Sequence, residues 1–280
     1  MTVAQMYSKL CAQLTKAGCD SPAFDARCLL EDIGGVPRGR VLMCMQQELD
    51  EQTCERLQRA AERRSNREPL QYILQQWDFL GLTLEVGEGV LIPRADTEVL
   101  AQKAADFLQQ TGGTELLDLC AGSGCVGLGA AWLCPQVRLT FAERYDAALH
   151  YLRRNVARYA PQARIVAADV LQAPPIKDIF DVITANPPYL DSAEMAALQP
   201  EVGFEPATAL DGGQDGLIFY RAIVQHWLPL LKQGGMLACE VGYRQARAVQ
   251  ALFETAGLKT EILLDAGGIE RVVCGYKEQI

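Results

Sequence analysis

The feature that most constrains the fold is the regular alternation of apolar strand segments and helical segments that begins at residue 115. Seven segments have strand character, and helical patterns separate the earlier ones: Leu116–Cys120, Arg138–Ala142, Arg164–Ala167, Phe180–Ala185, Gly235–Val241, Thr260–Leu264 and Arg271–Tyr276. This alternation predicts an α/β fold with a doubly wound, mainly parallel, Rossmann-like sheet of seven strands. Only Asp265–Ile269 separates the last two strands, which is too short for a helical crossover. We therefore expect a C-terminal antiparallel hairpin.

The N-terminal part of the chain has a different sequence pattern. Residues 1–75 show helical patterns, with Ser21-Pro22 and Asp50 as helix starts and Gly34-Gly35 as a stop, and they predict a small helical bundle. Residues 76–90 are aromatic and β-branched, which predicts a β-hairpin linker. Residues 91–280 then form the sheet domain, so the sequence predicts two domains joined by a hairpin.

Composition narrows the function classes. The chain has 280 residues and a net charge of -9, which disfavours sequence-independent nucleic-acid binding. It has ten cysteines without a C-x-x-C pair and only two histidines, and this composition argues against a zinc site or a disulfide framework. No signal peptide or membrane-spanning run is evident, so we expect a cytoplasmic protein with no metal and no membrane partner.

The tetrapeptide Asn186-Pro187-Pro188-Tyr189 directly follows the apolar run Phe180–Ala185. Open α/β sheets bind ligands at the carboxyl ends of their strands, so the tetrapeptide lies where a ligand is expected. The Asn186 side chain offers a carbonyl acceptor, and each proline has a backbone carbonyl but no N–H donor. This donor-poor corner suits a planar –NH2 group, against which Tyr189 could pack. The alternative is a rigid exit from the strand with a turn-forming asparagine.

A glycine-rich loop, Asp118–Gly127, follows the first strand of the sheet and contains G-x-G-x-x-G. Its glycines allow close approach of a ligand, and Glu143 at the end of the second strand is placed to bind ribose hydroxyls. Asp118 could face a cationic or amino group, and Asp169 could face an adenine amino group. A dinucleotide and S-adenosylmethionine both satisfy this pattern. Asp118 as a loop cap and Asp169 as a turn residue are the structural alternatives.

Together these motifs resemble the peptide chain release factor glutamine N5-methyltransferases, a class I family that uses S-adenosylmethionine. The resemblance covers almost the whole chain and includes these segments: Arg67–Tyr72, Phe79 with Gly81, Leu91–Glu98, Asp118–Gly124, Asn186–Tyr189, Phe204–Pro206 and Ala209–Leu217. DNA adenine methyltransferases share the tetrapeptide alone. The Ile92-Pro93-Arg94 element and the stretch from Glu205-Pro206 to Gly212-Gly213, in this order, are much more specific.

The resemblance implies a role for each motif residue. The cofactor would lie along Asp118, Cys120, Ala121, Gly122, Ser123 and Gly124, with its ribose on Glu143, its adenine beside Asp169 and Val170, and its methyl group near Asn186. Asn186, Pro187, Pro188 and Tyr189 would bind the substrate amide, and Asn186, Pro187 and Tyr189 would be catalytic. Three residues depart from the family pattern: Ala95 replaces proline, Ala121 replaces threonine and Glu143 replaces aspartate. None of them removes a group that the chemistry requires.

The expected reaction is direct methyl transfer to the glutamine amide of a Gly-Gly-Gln motif, which leaves S-adenosylhomocysteine. The resemblance implies release factors as protein substrates, the helical region as their recognition domain, and a monomeric enzyme without sequence-specific nucleic-acid binding. A glutamine methyltransferase of a ribosomal protein and a nucleic-acid adenine methyltransferase are the alternatives. An NAD-dependent dehydrogenase would leave Asn186–Tyr189 without a role, and a non-catalytic interaction protein would need neither motif.

Overall fold

The computed structural model describes residues 1–278, which form two compact units. The first contains Met1–Gln76 together with Gln199–Phe204, and the second contains Trp77–Leu198 and the chain from Glu205 onward. Contacts therefore place the hairpin in the second unit and add to the first a short segment from beyond residue 190. None of the helices in the described part of the chain is long and apolar enough to cross a membrane.

The first unit is built from four helices: α1 (Val3–Lys16), α2 (Pro22–Asp32), α3 (Glu51–Ser65) and α4 (Leu70–Leu74). Local signals start two of them, because the Asp50 carboxylate accepts from Thr53 N at 2.7 Å and Pro22 occupies the first turn of α2. Leucines on one face of α1 pack with those of α2 and α3, and the core they form is fully buried: Leu10, Leu14, Leu29, Leu30 and Leu57.

A buried ion pair connects the helices of the first unit. Arg64 Nε donates to Asp25 Oδ2 at 2.8 Å, with both side chains 7% exposed. Arg64 and Arg67 also donate to the Glu201 carboxylate, at 3.0 Å and 2.7 Å. Because a buried charge is costly without a partner, these contacts hold the segment 199–204 to the helices of this unit.

A two-stranded sheet, β1 (Gln76–Phe79) and β2 (Leu82–Glu85), lies at the start of the second unit, and only its first residue, Gln76, is counted with the first unit. Leu80 and Gly81 connect the strands, with φ values of 48° and 82°. Positive φ at both central residues is the geometry of the tight turns that match the twist of a hairpin.

A seven-stranded sheet forms the centre of the second unit. Its strands in chain order are β3 (Glu115–Leu119), β4 (Arg138–Glu143), β5 (Arg164–Ala167), β6 (Phe180–Ala185), β7 (Leu231–Glu240), β8 (Lys259–Leu264) and β9 (Glu270–Tyr276). They lie in the order β5-β4-β3-β6-β7-β9-β8. The first five strands are mutually parallel, and β9 runs antiparallel to both β7 and β8. The predicted fold class is confirmed, including the C-terminal hairpin.

The helices of this unit are α5 (Glu98–Thr111), α6 (Cys125–Leu133), α7 (Asp146–Tyr159), α8 (Ser192–Met195), α9 (Ile218–Ala222) and α10 (Ala246–Thr255). A π-helical turn, Ile223–Trp227, extends α9. Separate clusters of buried apolar residues cover the two faces of the sheet, so its central strands are buried on both sides. The strand order reverses between β3 and β6, which creates a crevice at their carboxyl ends.

Candidate active site

A cavity lies within the second unit at the carboxyl ends of β3, β4 and β6. Its empty volume, including the open mouth, is about 920 Å³. Ten of the residues expected from the sequence line it: Asp118, Cys120, Ala121, Gly122, Ser123, Glu143, Asp169, Val170, Asn186 and Pro188. Because Leu119 pairs with Ala185 in the sheet, the glycine-rich loop and the tetrapeptide leave neighbouring strands at the same level.

The loop 120–124 turns sharply between β3 and α6. Cys120 has a φ of 52°, Gly122 a φ of 56° and Gly124 a φ of 84°. A left-handed conformation is costly for a non-glycine residue, so Cys120 is strained where the chain passes the cavity. Gly124 is not among the cavity-lining residues. It ends the loop as the N-cap of α6, and a side chain there would meet Leu152 at 2.7 Å.

Asp118 lies beneath this loop and is 1% exposed. Its Oδ1 accepts from Thr184 Oγ1 at 2.8 Å, and its Oδ2 accepts from the backbone N–H of Gly127 at 3.0 Å. Burial, with the charge of Glu143 acting in the same direction, raises the pKa of the Asp118 carboxyl to about 7, although both hydrogen bonds oppose the shift. Asp118 is therefore a buried carboxyl group that lines the cavity and titrates near neutral pH.

Glu143, the last residue of β4, is held by the backbone around it. Its Oε2 accepts from Gly122 N at 2.9 Å, and its Oε1 accepts from Arg144 N and Tyr145 N at 2.8 Å and 2.9 Å. A carboxylate offers about four acceptor sites, so about one remains free, on Oε2. Glu143 thus ties the loop after β3 to the end of β4 and retains one acceptor for a ligand.

Asp169 and Val170 form the wall on the β5 side of the cavity. Asp169 Oδ1 accepts from Leu171 N at 2.9 Å, and its Oδ2 pairs with Arg144 Nη1 at 2.7 Å. The Val170 carbonyl accepts from Trp227 Nε1 at 2.9 Å, and that indole is completely buried. These bonds give the loop after β5 a defined position.

Asn186 presents an unpaired acceptor at the end of β6. Its Nδ2 donates to Thr97 Oγ1 at 3.4 Å, whereas its buried Oδ1 has no hydrogen-bond partner among residues 1–278. A buried carbonyl oxygen without a donor is costly, so it marks a place where a donor can bind. Pro188 lines the cavity beside it, and Pro187, which is buried, is not among the lining residues.

Tyr189 is also outside the cavity lining, and its surroundings hold it closely. The Tyr189 carbonyl accepts from Gln245 Nε2 at 2.7 Å, and its hydroxyl donates to Glu240 Oε1 at 3.5 Å. A Cβ at Gly212 would lie 2.7 Å from Tyr189 Cα, so the neighbouring loop passes very close to it. Burial, followed by the charge of Glu240, raises the pKa of this tyrosine well above its usual range. Stacking of Tyr189 on a substrate amide stays a prediction.

Several contributors to the site were given no role in the sequence analysis, although Arg94 and Glu205 lie in motifs that it quoted. Glu205 Oε2 accepts from Ile92 N at 2.9 Å and Oε1 pairs with Arg94, which fixes a cavity wall. Asn155 is fully buried and its Nδ2 donates to the Ser123 carbonyl at 2.9 Å. Glu240 ends β7 as Glu143 ends β4, and a charged residue closing an apolar strand is the signal that could have identified it.

The donor set fits the methyl donor that the resemblance implies. The loop approaches the cavity without side-chain bulk at Gly122, and Ser123 Oγ is buried with no hydrogen-bond partner in the described chain. Three carboxylates, Asp118, Glu143 and Asp169, line the same cavity, which suits a ligand with cationic groups and hydroxyls.

Comparison with known proteins identifies the family. The model described as the PrmC N-terminal domain matches residues 5–74, and the model described as the methyltransferase small domain matches residues 96–203. A release factor glutamine methyltransferase of Caulobacter vibrioides is 34% identical over 284 residues, which cover 100% of this chain and 98% of the relative. The chain belongs to the release factor glutamine methyltransferase family.

A further relative and one solved structure also match the chain. The family member of Thermodesulfovibrio yellowstonii is 37% identical over 222 residues, which cover 78% of this chain and 80% of the relative. A methyltransferase structure from Pyrococcus furiosus superimposes with a TM-score of 0.53 at 19% identity, over 71% of this chain and 90% of that one. The structural match supports the methyltransferase fold, and the sequence matches show that the protein is a glutamine methyltransferase by family.

Proposed function

We propose that the protein methylates the side-chain amide nitrogen (N5) of the glutamine in the Gly-Gly-Gln motif of peptide chain release factors, with S-adenosylmethionine as methyl donor. The observation that supports this most directly is the unpaired, buried Oδ1 of Asn186, a residue that lines the cavity. A glutamine –NH2 group supplies the donor that this acceptor lacks. Family membership supports the substrate class, because relatives that span the chain carry the name release factor glutamine methyltransferase.

Asn186 would act on the nitrogen in two ways. An amide nitrogen is a poor nucleophile because its lone pair is delocalised into the carbonyl group. An acceptor on one N–H bond increases the electron density at nitrogen and also orients the group. We assign the second N–H bond to the Pro187 carbonyl, since proline contributes an acceptor without a competing donor. The residues provide positioning and electrostatics, and the proton leaves to solvent after transfer.

The residues around the glycine-rich loop would hold the cofactor. S-adenosylmethionine supplies an electrophilic methyl group when it is bound. We place its amino acid part along Cys120–Gly124 above Asp118, whose carboxylate would face a positive charge. We place its ribose at the one free acceptor site of Glu143, and its adenine beside Asp169 and Val170. S-adenosylhomocysteine would leave from the same residues.

The helical unit would recognise the protein substrate, residues 76–90 would link it, and residues 91–280 would carry out the transfer. The first unit offers two adjacent apolar side chains for such a contact, because Leu42 and Met43 are 72% and 82% exposed. Since release factors act in translation, we place the enzyme in the cytoplasm, as a monomer that binds no specific nucleic-acid sequence.

A transfer assay with methyl-labelled cofactor tests the proposal. The protein is incubated separately with a release factor, a ribosomal-protein fraction and DNA, and label is located by peptide mass spectrometry. We expect label on the release factor glutamine. Transfer only to ribosomal protein or to DNA would contradict the proposal. Asn186→Ala should abolish transfer and leave cofactor affinity within about 3-fold, because it removes the substrate acceptor only.

A further inference from the structure

The backbone directly after the tetrapeptide is held by a neighbouring loop. Leu190 N donates to the Leu210 carbonyl at 2.9 Å, and the Leu190 carbonyl accepts from Gly212 N at 2.8 Å. These bonds form a parallel bridge between Leu190 and Asp211. The Leu190 N–H and the Tyr189 carbonyl belong to one planar peptide group. The bond to Leu210 therefore holds one side of the Tyr189–Leu190 peptide group.

Gln245, immediately before α10, holds the other side of this peptide group. Its Nε2 donates to the Tyr189 carbonyl at 2.7 Å, and its Oε1 accepts from Gly242 N at 3.0 Å. An amide has donors only on its nitrogen, so these two partners allow one orientation of the Gln245 side chain. Because Gly242 follows β7 and the tetrapeptide follows β6, the side chain connects the exits of two neighbouring strands.

The loop that pairs with Leu190 also covers this contact. A Cβ at Gly216 would overlap both Gln245 Nε2 and the Tyr189 carbonyl oxygen, so the Gly216 backbone passes directly over the hydrogen bond. The turn that carries Gln245 is strained, because Arg244 has a φ of 73°. A left-handed conformation of a non-glycine residue persists only where the surrounding contacts determine it. The position of Gln245 is therefore closely defined.

Two prolines transmit this restraint to the residues that face the substrate. The ring of each proline fixes its φ, and Pro188 also confines Pro187 to extended conformations. The other end of the tetrapeptide is anchored as well, because Ala185 is paired with strands on both of its sides. With both ends held and little rotation between them, the peptide group after Tyr189 determines where the Pro187 carbonyl points.

We propose that Gln245 is a positioning residue for methyl transfer, which holds the Tyr189–Leu190 peptide group and thereby directs the Pro187 carbonyl toward the substrate nitrogen. Gln245 is not among the residues that line the cavity, so it acts through the tetrapeptide and not on a ligand. The inference rests on the proposed function, which assigns one N–H bond of the substrate amide to the Pro187 carbonyl.

Gln245→Met and Gln245→Glu test the inference. Methionine has nearly the length of glutamine and forms neither hydrogen bond, whereas ionised glutamate can accept from Gly242 N but has no donor for the Tyr189 carbonyl. We expect kcat for release factor methylation to fall about 10- to 100-fold in both variants, because small displacements of reacting groups have effects of this size. The KM for release factor and the cofactor Kd should change by less than about 3-fold, since neither variant removes a binding contact that we propose.

Gln250, within α10, provides a matched control. Its Nε2 donates to Thr260 Oγ1 at 2.9 Å and its Oε1 accepts from Arg247 Nη1 at 3.1 Å, so it also uses both ends of its amide. Thr260 lies on β8, the edge strand of the sheet. Gln250→Met and Gln250→Glu should therefore keep the wild-type kcat. A loss in these variants equal to that in the Gln245 variants would show a general effect of α10 and would overturn the inference.

A wild-type kcat in either Gln245 variant would also overturn it. The rate is expressed per active site, counted by calorimetric titration with S-adenosylmethionine, so a purely structural role predicts lower stability in urea and an unchanged kcat. If Gln245→Met does not fold, Gln245→Glu decides alone, because it keeps the contact with Gly242 N at a partly exposed position. Failure of the wild-type protein to methylate release factor would instead reject the proposed function, so the two failures are distinguishable.

Discussion

Asp118→Asn should change how the stability of the protein depends on pH. Asp118 is buried with two donors, Thr184 Oγ1 and Gly127 N, and burial raises the pKa of its carboxyl from 3.8 to about 7. Between these values the folded chain holds a proton that the unfolded chain has released. The free energy of unfolding therefore falls as pH rises from about 4 to about 7, and the loss is complete above the folded pKa.

The magnitude follows from the shift. A change from 3.8 to about 7 is about 3 pH units, and each unit corresponds to about 1.4 kcal/mol, so the effect is on the order of 4 kcal/mol. Asparagine cannot ionise, so Asp118→Asn removes this term. Relative to wild type, the variant should gain about 4 kcal/mol of stability between about pH 4 and pH 8.

The hydrogen bonds of Asp118 do not obscure this comparison. In the Asp118→Asn variant, the carbonyl of the introduced amide could accept from Gly127 N, and its –NH2 could donate to Thr184 Oγ1. The Thr184 proton would then turn to the Leu117 carbonyl, which lies 3.5 Å away. Any remaining cost of the substitution is independent of pH, and only the slope of the difference matters.

Urea unfolding of both proteins without cofactor, followed by circular dichroism at several pH values, measures that slope. The unfolding free energy of Asp118→Asn minus that of wild type should rise steadily with pH. A difference that stays constant across this range would show that Asp118 titrates normally, and it would refute the burial argument. Addition of S-adenosylmethionine should reduce the effect, because a cationic ligand favours the ionised carboxylate.

Three further substitutions have defined outcomes. Glu205→Gln puts a donor against Arg94 and should weaken cofactor binding about 10-fold by calorimetry, because Glu205 fixes a cavity wall; unchanged affinity would contradict this. Asn155→Leu leaves the Ser123 carbonyl and both backbone groups of Glu85 unpaired and should cost about 3 kcal/mol in urea unfolding, whereas a cost under about 1 kcal/mol would show that water replaces it. Arg64→Met removes the partner of buried Asp25 and should destabilise the first unit by about 3–5 kcal/mol, a cost that proteolysis of residues 1–76 would reveal.

The strands were predictable from the sequence because their apolar runs are buried on both faces of the sheet. Phe180–Ala185 and Arg164–Ala167 have the predicted bounds. The prediction for β7 began at Gly235, but the strand begins at Leu231. Its first residues include Lys232 and Gln233, and the pairing with β6 shifts between Phe180 and Val182. Polar residues such as these are typical of turns, and the register shift beside them interrupts the strand alternation. The sequence alone therefore does not identify them as part of a strand.

The site was predictable only as far as the strand ends determine it. A residue that follows a parallel strand must lie at the carboxyl edge, which places Asp118, Glu143 and Asn186 together. The partners of these residues come from distant parts of the chain, because Thr97 precedes α5 and Glu205 follows a long loop. Whether a side chain such as Tyr189 faces the cavity or the core depends on how these distant segments pack against it. A local sequence pattern carries no information about that packing.

Three carboxylates, Asp118, Glu143 and Glu240, lie at the carboxyl ends of strands in this sheet. They differ in the number of hydrogen-bond donors around them, and this difference distinguishes their roles. Glu143 accepts from three backbone N–H groups, so its main role is to hold the surrounding backbone in place, and one acceptor site is left for a ligand. This count leaves too few sites for Glu143 to bridge both hydroxyls of a ribose without releasing a loop contact. Asp118 has two donors and full burial, which makes it titratable. Glu240 has one unpaired oxygen, Oε2, and its Oε1 accepts from the Tyr189 hydroxyl at 3.5 Å. The protein therefore holds these carboxylates with decreasing firmness, from Glu143 with three donors to Glu240 with one.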